Sequence, residues 1–390
     1  MHDTSAPFGI PLPDHPLSSP DLLIAGAGPA GLAAAIAAAN RGLTVQVVDS
    51  HQPIIDKACG EGLLPAAVEA LTQLGIDLST IAHASFRGIR FLDAANDAAS
   101  TAGLFRETPG IGIRRTRLYQ LLLDRALALG VRIQWQTTVR SISNQNIEAL
   151  TVETDKFSFH PRYLVGSDGL HSKIRTLAGL NRASSTRSRI GIRQHFAITP
   201  HTDLVEVYWS PTGQAYVTPI SHSELCVAFV YNSRPPQDHL AAFPALRDLL
   251  RSATPIDPPR GAITLTRSLH RVTSGNIALI GDASGSVDAV TGKGLTLCFQ
   301  QALALADALA ANNLAAYEQA HRRMFTAPLL MSRALLLMDR HPVICSLALK
   351  GFRQHPFIFP NLLDIHLGLR PLRTLSATGL TTSLFSLFLN

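Results

Sequence analysis

The sequence predicts an α/β fold in which a parallel sheet is interrupted by an inserted antiparallel sheet and followed by a helical C-terminal region. Three observations predict it. Residues 21–25 (DLLIA), a Gly-rich turn, an Ala-rich helix over 31–40 and the β-branched run 43–49 (LTVQVVD) make a βαβ unit, whose crossover requires parallel strands. Residues 188–231 alternate apolar and polar positions between Pro and Gly, the pattern of an antiparallel meander. Beyond Ala320 the chain becomes rich in Leu, Phe, Pro, Arg and His and poor in acids, which fits short helices broken at Pro342, Pro356, Pro360 and Pro371.

The remaining elements follow in order. Gly42 stops the first helix, since glycine takes up the left-handed backbone that ends helices. Amphipathic helices are expected over 62–74, ended by Gly75, and over 117–129, ended by Gly130, with a strand at 131–135. A strand at 163–165 runs into a Gly- and Asp-containing turn. A Pro-rich loop spans 235–259. The buried strand 277–280 leads through a second Gly-rich segment into a helix over 295–311. No internal repeat is present.

Composition narrows the function classes. Hydrophobic residues make up 46% of the 390 positions and charged residues 16%, a globular balance with ample core. The formal net charge of +6 suits an anionic dinucleotide or an anionic bilayer surface. No Lys/Arg block interleaved with aromatics points to nucleic acid. Cys59, Cys226, Cys298 and Cys345 form no CxxC pair, and no metal-ligand spacing links them to His, so no metal is expected. Residues 1–19 read as a loose tail without the apolar core of a secretory signal. No apolar run reaches the length of about 18 residues that spans a bilayer. A cytoplasmic location is therefore expected, with peripheral membrane contact through the C-terminal region as an alternative to a helical cap packed on the rest.

The first chemical motif is Gly26-Ala27-Gly28-Pro29-Ala30-Gly31, between a strand and a helix. The first glycine permits a tight turn, the second lets backbone approach a pyrophosphate at the helix N-terminus, and the third permits close helix packing. Asp49 ends the next strand, where an acid accepts from ribose hydroxyls. Alone, this motif does not separate NAD from FAD.

Two later segments carry a resemblance. Gly166-Ser167-Asp168-Gly169-Leu170-His171-Ser172-Lys173-Ile174-Arg175 is similar to the GDGxxSxxR segment of flavoprotein monooxygenases. The run from Gly281-Asp282-Ala283 to Gly292-Lys293-Gly294-Leu295 is similar to their GDA…GxG segment. With the first motif they resemble the para-hydroxybenzoate hydroxylase class over roughly residues 20–320. The resemblance implies FAD as cofactor, held in a Rossmann-like domain beside an antiparallel-sheet substrate domain. It divides the chain into an FAD-binding domain (20–80, 112–187 and 263–320), a substrate sheet domain (81–111 and 188–262) and a C-terminal helical region (321–390). It implies that Asp282 meets the ribityl and pyrophosphate region and that Gly292 and Gly294 lie against the isoalloxazine. It also sets Gly60, Arg115, Val139, Asp168, Gly281 and Leu295 at the cofactor. A helix N-terminus there stabilises negative charge on a reduced flavin. Asp282 has a second reading as a helix cap.

The segment Lys57-Ala58-Cys59-Gly60-Glu61-Gly62-Leu63 resembles the KxCGxGL segment of the geranylgeranyl reductase branch, as Thr291 to Leu295 resembles its TGEGI. That branch's PxxYxWxFP motif is incomplete: Tyr216 and Pro219 stand here without the Trp, and Ala289 replaces a usual Pro. The leading expectation is a monooxygenase that uses NAD(P)H and O2 to hydroxylate or epoxidise an apolar or phenolic small molecule. The alternatives are a reductase of C=C bonds in a prenyl or lipid chain, and a flavin-binding sensor or carrier without turnover. With no second GxGxxG, NAD(P)H would bind transiently. Tyr216 and Cys59 are the candidate catalytic side chains beside the flavin itself. Cys59 has a second reading, favoured by its chemistry, as a small pocket-lining residue; Lys57 and Glu61 read as substrate-orienting groups or a solvated pair, and His171 and His195 as surface or packing residues.

Overall fold

The computed structural model describes residues 17–93, 96–143, 150–371 and 374. Most of the expected tail 1–19 and the end of the C-terminal region lie outside these residues. Strand Leu22–Ala25, helix α1 (Pro29–Ala39) and strand Val45–Val48 form the expected βαβ unit, with every strand residue buried. Pro29 opens α1 because its missing N–H falls among the donors that a first turn leaves unpaired anyway. The sheet runs Thr273–Ser274, Ile277–Leu279, Tyr163–Gly166, Leu22–Ala25, Val45–Val48, Arg132–Gln134. All neighbours are parallel except the first pair. Burial on both faces accounts for the continuous apolar runs in these strands.

Helix α2 (Pro65–Gln73) starts three residues later than expected. Gly62–Leu63 is instead a strand paired with Ile111–Gly112, and Pro65 sets the first turn. Helix α3 (Arg115–Ala128) starts two residues earlier than expected, and α4 (Lys173–Leu177) is a single short turn of helix.

The second sheet has eight strands and is not purely antiparallel. Leu204–Ser210, Gly213–Pro219 and Glu224–Tyr231 form the meander. Arg189–Ala197, expected to precede them in it, crosses to the far side and pairs with Glu224–Tyr231. Leu204–Ser210 pairs in parallel with Gly88–Asp93, because the chain between those strands passes through the other sheet and no hairpin turn imposes opposite directions. The expected loop 235–259 contains helix α5 (Pro244–Leu249), which covers one face of this sheet with Phe243, Leu246 and Leu250.

The C-terminal region is helical, but its first helix is not short. After α6 (Gly294–Ala310), helix α7 (Leu314–Arg340) runs 27 residues and continues through Pro328. A proline inside a helix costs about 3 kcal/mol. Here Tyr317, His321, Phe325, Pro328, Ser332 and Leu336 are buried along one stripe of α7, which offsets that cost. Pro342 and Pro360 lie in the first turns of α8 (Pro342–Gln354) and α9 (Ile358–Leu367), where their missing N–H is tolerated. These helices pack on the second face of the mixed sheet: Val207, Trp209 and Phe91 meet Leu336, Phe352 and Phe359. None of the described helices is long and apolar enough to cross a membrane.

Candidate active site

The Gly-rich turn shows a separate physical reason for each glycine. Gly26 has φ +111°, and a Cβ there would stand 2.6 Å from the Ser167 carbonyl oxygen. A Cβ on Gly31 would stand 1.9 Å from the Gly26 oxygen. A Cβ on Gly28 would meet nothing within 4 Å, so that face is open to a ligand. No side chain caps α1, so its first N–H groups are available to an anion. The Asp49 carboxylate is engaged within the protein and keeps further lone pairs: Oδ2 accepts from Ala27 N–H at 2.6 Å and Oδ1 from His51 N–H at 2.8 Å. It ties the turn to the second strand. Val139 is a core residue paired with Thr154, away from the cavity described below.

The Asp, Ser and Arg of the second motif knit one turn to another. Asp168 accepts from the Ser172 hydroxyl and from the N–H groups of Lys173 (2.7 Å) and Ile174 (3.0 Å), so its carboxylate caps α4. Arg175 donates to the carbonyls of Leu170 (2.9 Å) and Ala283 (3.1 Å), holding the Gly281–Ser284 turn in place. From α7, His321 Nε2 lies 3.0 Å from the Ser284 hydroxyl. Burial lowers the His321 ring to about 4, so it is neutral near pH 7. The Asp282 carboxylate caps no helix and makes no hydrogen bond among the described residues. It faces a cavity, accessible by area yet ringed by protein. Desolvation raises its carboxyl above the ordinary value, against the charges of Lys57 and Arg115.

Gly292 has φ +61° and Gly294 opens α6, with open space where a Cβ of either would be. No side chain caps α6. The loop before it is anchored from the mixed sheet. Arg189 donates to Asp288 Oδ1 at 2.8 Å and to Gln214 Oε1 at 2.7 Å, while Asp288 accepts from Val290 N–H. Lys293 is buried, and desolvation lowers its ammonium to about 8.

These segments border one cavity of about 970 Å³. Pro29, Ala30, Cys59, Gly60, Arg115, Asp168, Gly281, Asp282, Gly292, Gly294 and Leu295 line its inner end, with Tyr216 and Thr218 from the mixed sheet. The cavity continues between that sheet and α7–α9, walled by Leu335, Met338, Ile344, Ala348, Phe352 and Phe359. Tyr216 donates to the Val290 carbonyl at 3.4 Å, and burial pushes its phenol up, so it is neutral. Cys59 Sγ accepts from Glu61 N–H at 3.4 Å. The expected cofactor residues fit an elongated anionic nucleotide with a flat ring system. Two uncapped helix ends and open glycine faces converge on the inner end, where the Arg115 Nε is a buried donor without a partner among the described residues.

The sequence reading missed the polar network beneath Cys59. Lys57 and Glu61 were open between substrate-orienting groups and a solvated pair; Lys57 is exposed, but Glu61 is buried. Its Oε1 accepts from Arg115 N–H at 3.0 Å and its Oε2 lies 2.7 Å from His195 Nε2. His195, expected at the surface or in packing, is 1% exposed and held between two carboxylates, with Nδ1 2.6 Å from Asp257 Oδ2. Cys226, beside His195 in the sheet, completes a metal-ligand-sized cluster with Glu61, although both His195 nitrogens already have partners. His171 is exposed and lines the cavity. Only the crossing of Arg189–Ala197 over the meander brings His195 to Glu61, and no local pattern signals that.

A family model described as FAD binding domain matches residues 20–323. A menaquinone reductase of Mycobacterium tuberculosis is 27% identical over 76% of this chain and 78% of its own. A digeranylgeranylglycerophospholipid reductase of Methanocella arvoryzae is 25% identical over 70% of this chain and 73% of its own. The crystal structure of p-nitrophenol 4-monooxygenase PnpA from Pseudomonas putida superposes with TM-score 0.77 at 16% identity, over 90% of this chain and 98% of that one, a likeness of fold.

Proposed function

The chain belongs to the FAD binding domain family, and from that premise we propose that this flavin-dependent oxidoreductase saturates a carbon–carbon double bond in a substrate with a long apolar chain. The observation that carries the reading is the cavity. One continuous volume of about 970 Å³ leads from Gly292, Gly294 and Cys59 to the apolar wall formed by α7–α9. Such a shape buries an extended hydrocarbon and brings one segment of it to the cofactor. The names of the menaquinone and digeranylgeranylglycerophospholipid reductases support an isoprenoid chain, as does the Lys57–Leu63 segment.

The residues assigned to FAD are Gly26, Gly28, Gly31, Arg115, Asp282, Gly292 and Gly294, with Asp49 and Asp168 shaping the turns that present them. FAD supplies the hydride chemistry; the protein supplies a dry pocket and orientation. NAD(P)H is the reductant, bound transiently. The mouth supports delivery from an anionic bilayer: Ile263 (55% exposed), Leu330 (46%) and Leu337 (48%) line the cavity and also face outward, beside exposed Arg333 and Arg340.

A second reading is hydroxylation of a phenolic substrate with O2. It is favoured by the Glu61–His195 pair, which can take the proton of a phenol at the cavity wall. Oxygen dependence separates the two. Reduced flavoprotein that is reoxidised by geranylgeraniol under strict anaerobiosis supports the reductase. Substrate turnover that stops without O2 assigns the second reading and overturns the first.

A further inference from the structure

The geometry points to a proton relay, Glu61–His195–Asp257, that connects the inner end of the cavity with the outer surface. It rests on the reaction proposed above for its direction, not for its existence.

Glu61 lines the cavity and His195 lies behind it, out of the cavity lining. Asp257 stands on the outside, its side chain 25% exposed between exposed Ile256 and Pro258. The two contacts of the His195 ring are short, 2.7 Å to Glu61 and 2.6 Å to Asp257. A neutral imidazole has one N–H, so with both acids ionised the two carboxylate contacts call for two protons on the ring. The surrounding charge supports the second proton. Glu61, Asp257, Asp56 and Glu224 are four acids, against which the ion pairs set Arg193, Arg114 and Arg260. An imidazolium closes that balance. Arg114 and Arg193 come within 2.7 and 2.9 Å of the same Nδ1 and both also pair with Asp257 Oδ2, so beside an imidazolium their N–H groups serve Asp257 and not the ring. Burial draws the Asp257 carboxyl upward, but hydrogen bonds from the His195 ring and backbone outweigh it and leave Asp257 below its ordinary value.

Glu61 is held in place at a cost. Its φ of 59° is left-handed for a residue with a side chain. Its carbonyl accepts from Ile113 N–H and its carboxylate from Arg115 N–H, which fixes the conformation. A strained, buried acid at a cavity wall, backed by a charged histidine, is more than a core ion pair requires.

Saturating a C=C bond adds one hydride and one proton. Reduced FAD, where Arg115, Asp282, Gly292 and Gly294 would hold it, would supply the hydride with its electron pair. Glu61 takes the Nε2 proton of the His195 imidazolium and passes it to the other carbon: the N–H bond breaks as an O–H bond forms on Glu61, and that O–H bond breaks as the C–H bond forms. Glu61 is again a carboxylate and His195 is left neutral, with its proton on Nδ1. A half-turn of the ring presents its remaining N–H to Glu61 and its bare nitrogen to Asp257, where water supplies the next proton. NAD(P)H restores the reduced cofactor.

The test uses FAD-loaded protein labelled with ¹⁵N-histidine, His195 being assigned by loss of its signals in His195→Gln. Both His195 ring nitrogens should carry protons at neutral pH. Asp257→Asn should slow their exchange with deuterated water by about tenfold or more, since opening of that end becomes limiting. Glu61→Gln, whose amide oxygen still accepts from Arg115 N–H, should leave a neutral ring. In the same variant, flavin reduction by NAD(P)H should be unchanged, while reoxidation by geranylgeraniol slows roughly a hundredfold. A neutral His195 ring in the wild-type protein, or exchange unaffected by Asp257→Asn, overturns the relay. An intact relay in a protein that never reduces geranylgeraniol overturns the reaction assignment instead.

Discussion

His195 Nε2 and Glu61 Oε2 meet at 2.7 Å across 134 residues of sequence, joining the mixed sheet to the Cys59–Gly62 turn at the cavity wall. This contact couples the mixed sheet to the segment that lines the cavity beside the proposed cofactor site. Several expected effects of substitution follow from that arrangement and from the glycines around it.

Gly28→Val should yield a folded protein without FAD. The backbone there, φ −69° and ψ 177°, suits any residue, and a Cβ meets no protein atom. Only the ligand is displaced. Gly31→Val should fail to fold, because its Cβ collides with the Gly26 carbonyl. Circular dichroism together with visible absorbance separates the two; an FAD-loaded Gly28→Val protein would contradict the assigned pyrophosphate site.

Asp282→Ala should weaken FAD binding by about tenfold or more while leaving the melting temperature of the apoprotein unchanged. The carboxylate makes no hydrogen bond among the described residues, and loss of a charged hydrogen bond to a ligand costs about 1.5–3 kcal/mol. Fluorescence titration with FAD measures the change.

Ala348→Phe should shorten the accepted chain. Ala348 lies on the α8 wall of the cavity. KM should rise for geranylgeraniol and stay near its value for a ten-carbon analogue, whose tail ends before that wall. Equal effects on both would show that the substrate does not extend under α8.

Stability should fall in mild acid through His321. Its ring is lowered from 6.5 to about 4 by burial. Between those values the unfolded chain binds a proton that the folded chain refuses, so stability drops as pH falls through the window. The loss is on the order of 3 kcal/mol at its lower end. His321→Gln, which can still reach the Ser284 hydroxyl, should flatten this part of the stability profile in denaturant titrations at pH 7 and pH 5.

Leu330→Glu with Leu337→Glu should abolish sedimentation with phosphatidylglycerol vesicles without changing FAD content. Both residues are exposed at the cavity mouth on one face of α7. Undiminished sedimentation would remove this face from the membrane reading.

The sequence disclosed what is local. The turn from Gly26 to Gly31 was legible because Gly31 answers to Gly26 within the turn and Gly26 to Ser167 at the end of the neighbouring strand, while Gly28 keeps the helix end open. The GDGxxSxxR pattern was equally visible, yet the structure shows Asp168 capping α4, work that spacing alone does not reveal. Asp49 likewise proved to hold the Ala27 N–H. The relay was invisible because it depends on strand order: Arg189–Ala197 pairs with Glu224–Tyr231 and not with its sequence neighbour. Helix α7 is longer than the short helices expected for the C-terminal region, and burial of one stripe carries it through Pro328. The cavity was legible only at the end lined by Cys59 and Tyr216, because its far wall comes from α7–α9, beyond every recognised motif.

The most direct test of the central claim is mass analysis of the product formed from geranylgeraniol by the reduced flavoprotein in the absence of oxygen. The account predicts a product heavier by two hydrogens, in an amount matching the flavin oxidised. A product heavier by one oxygen atom, formed only when O2 is admitted, would contradict it.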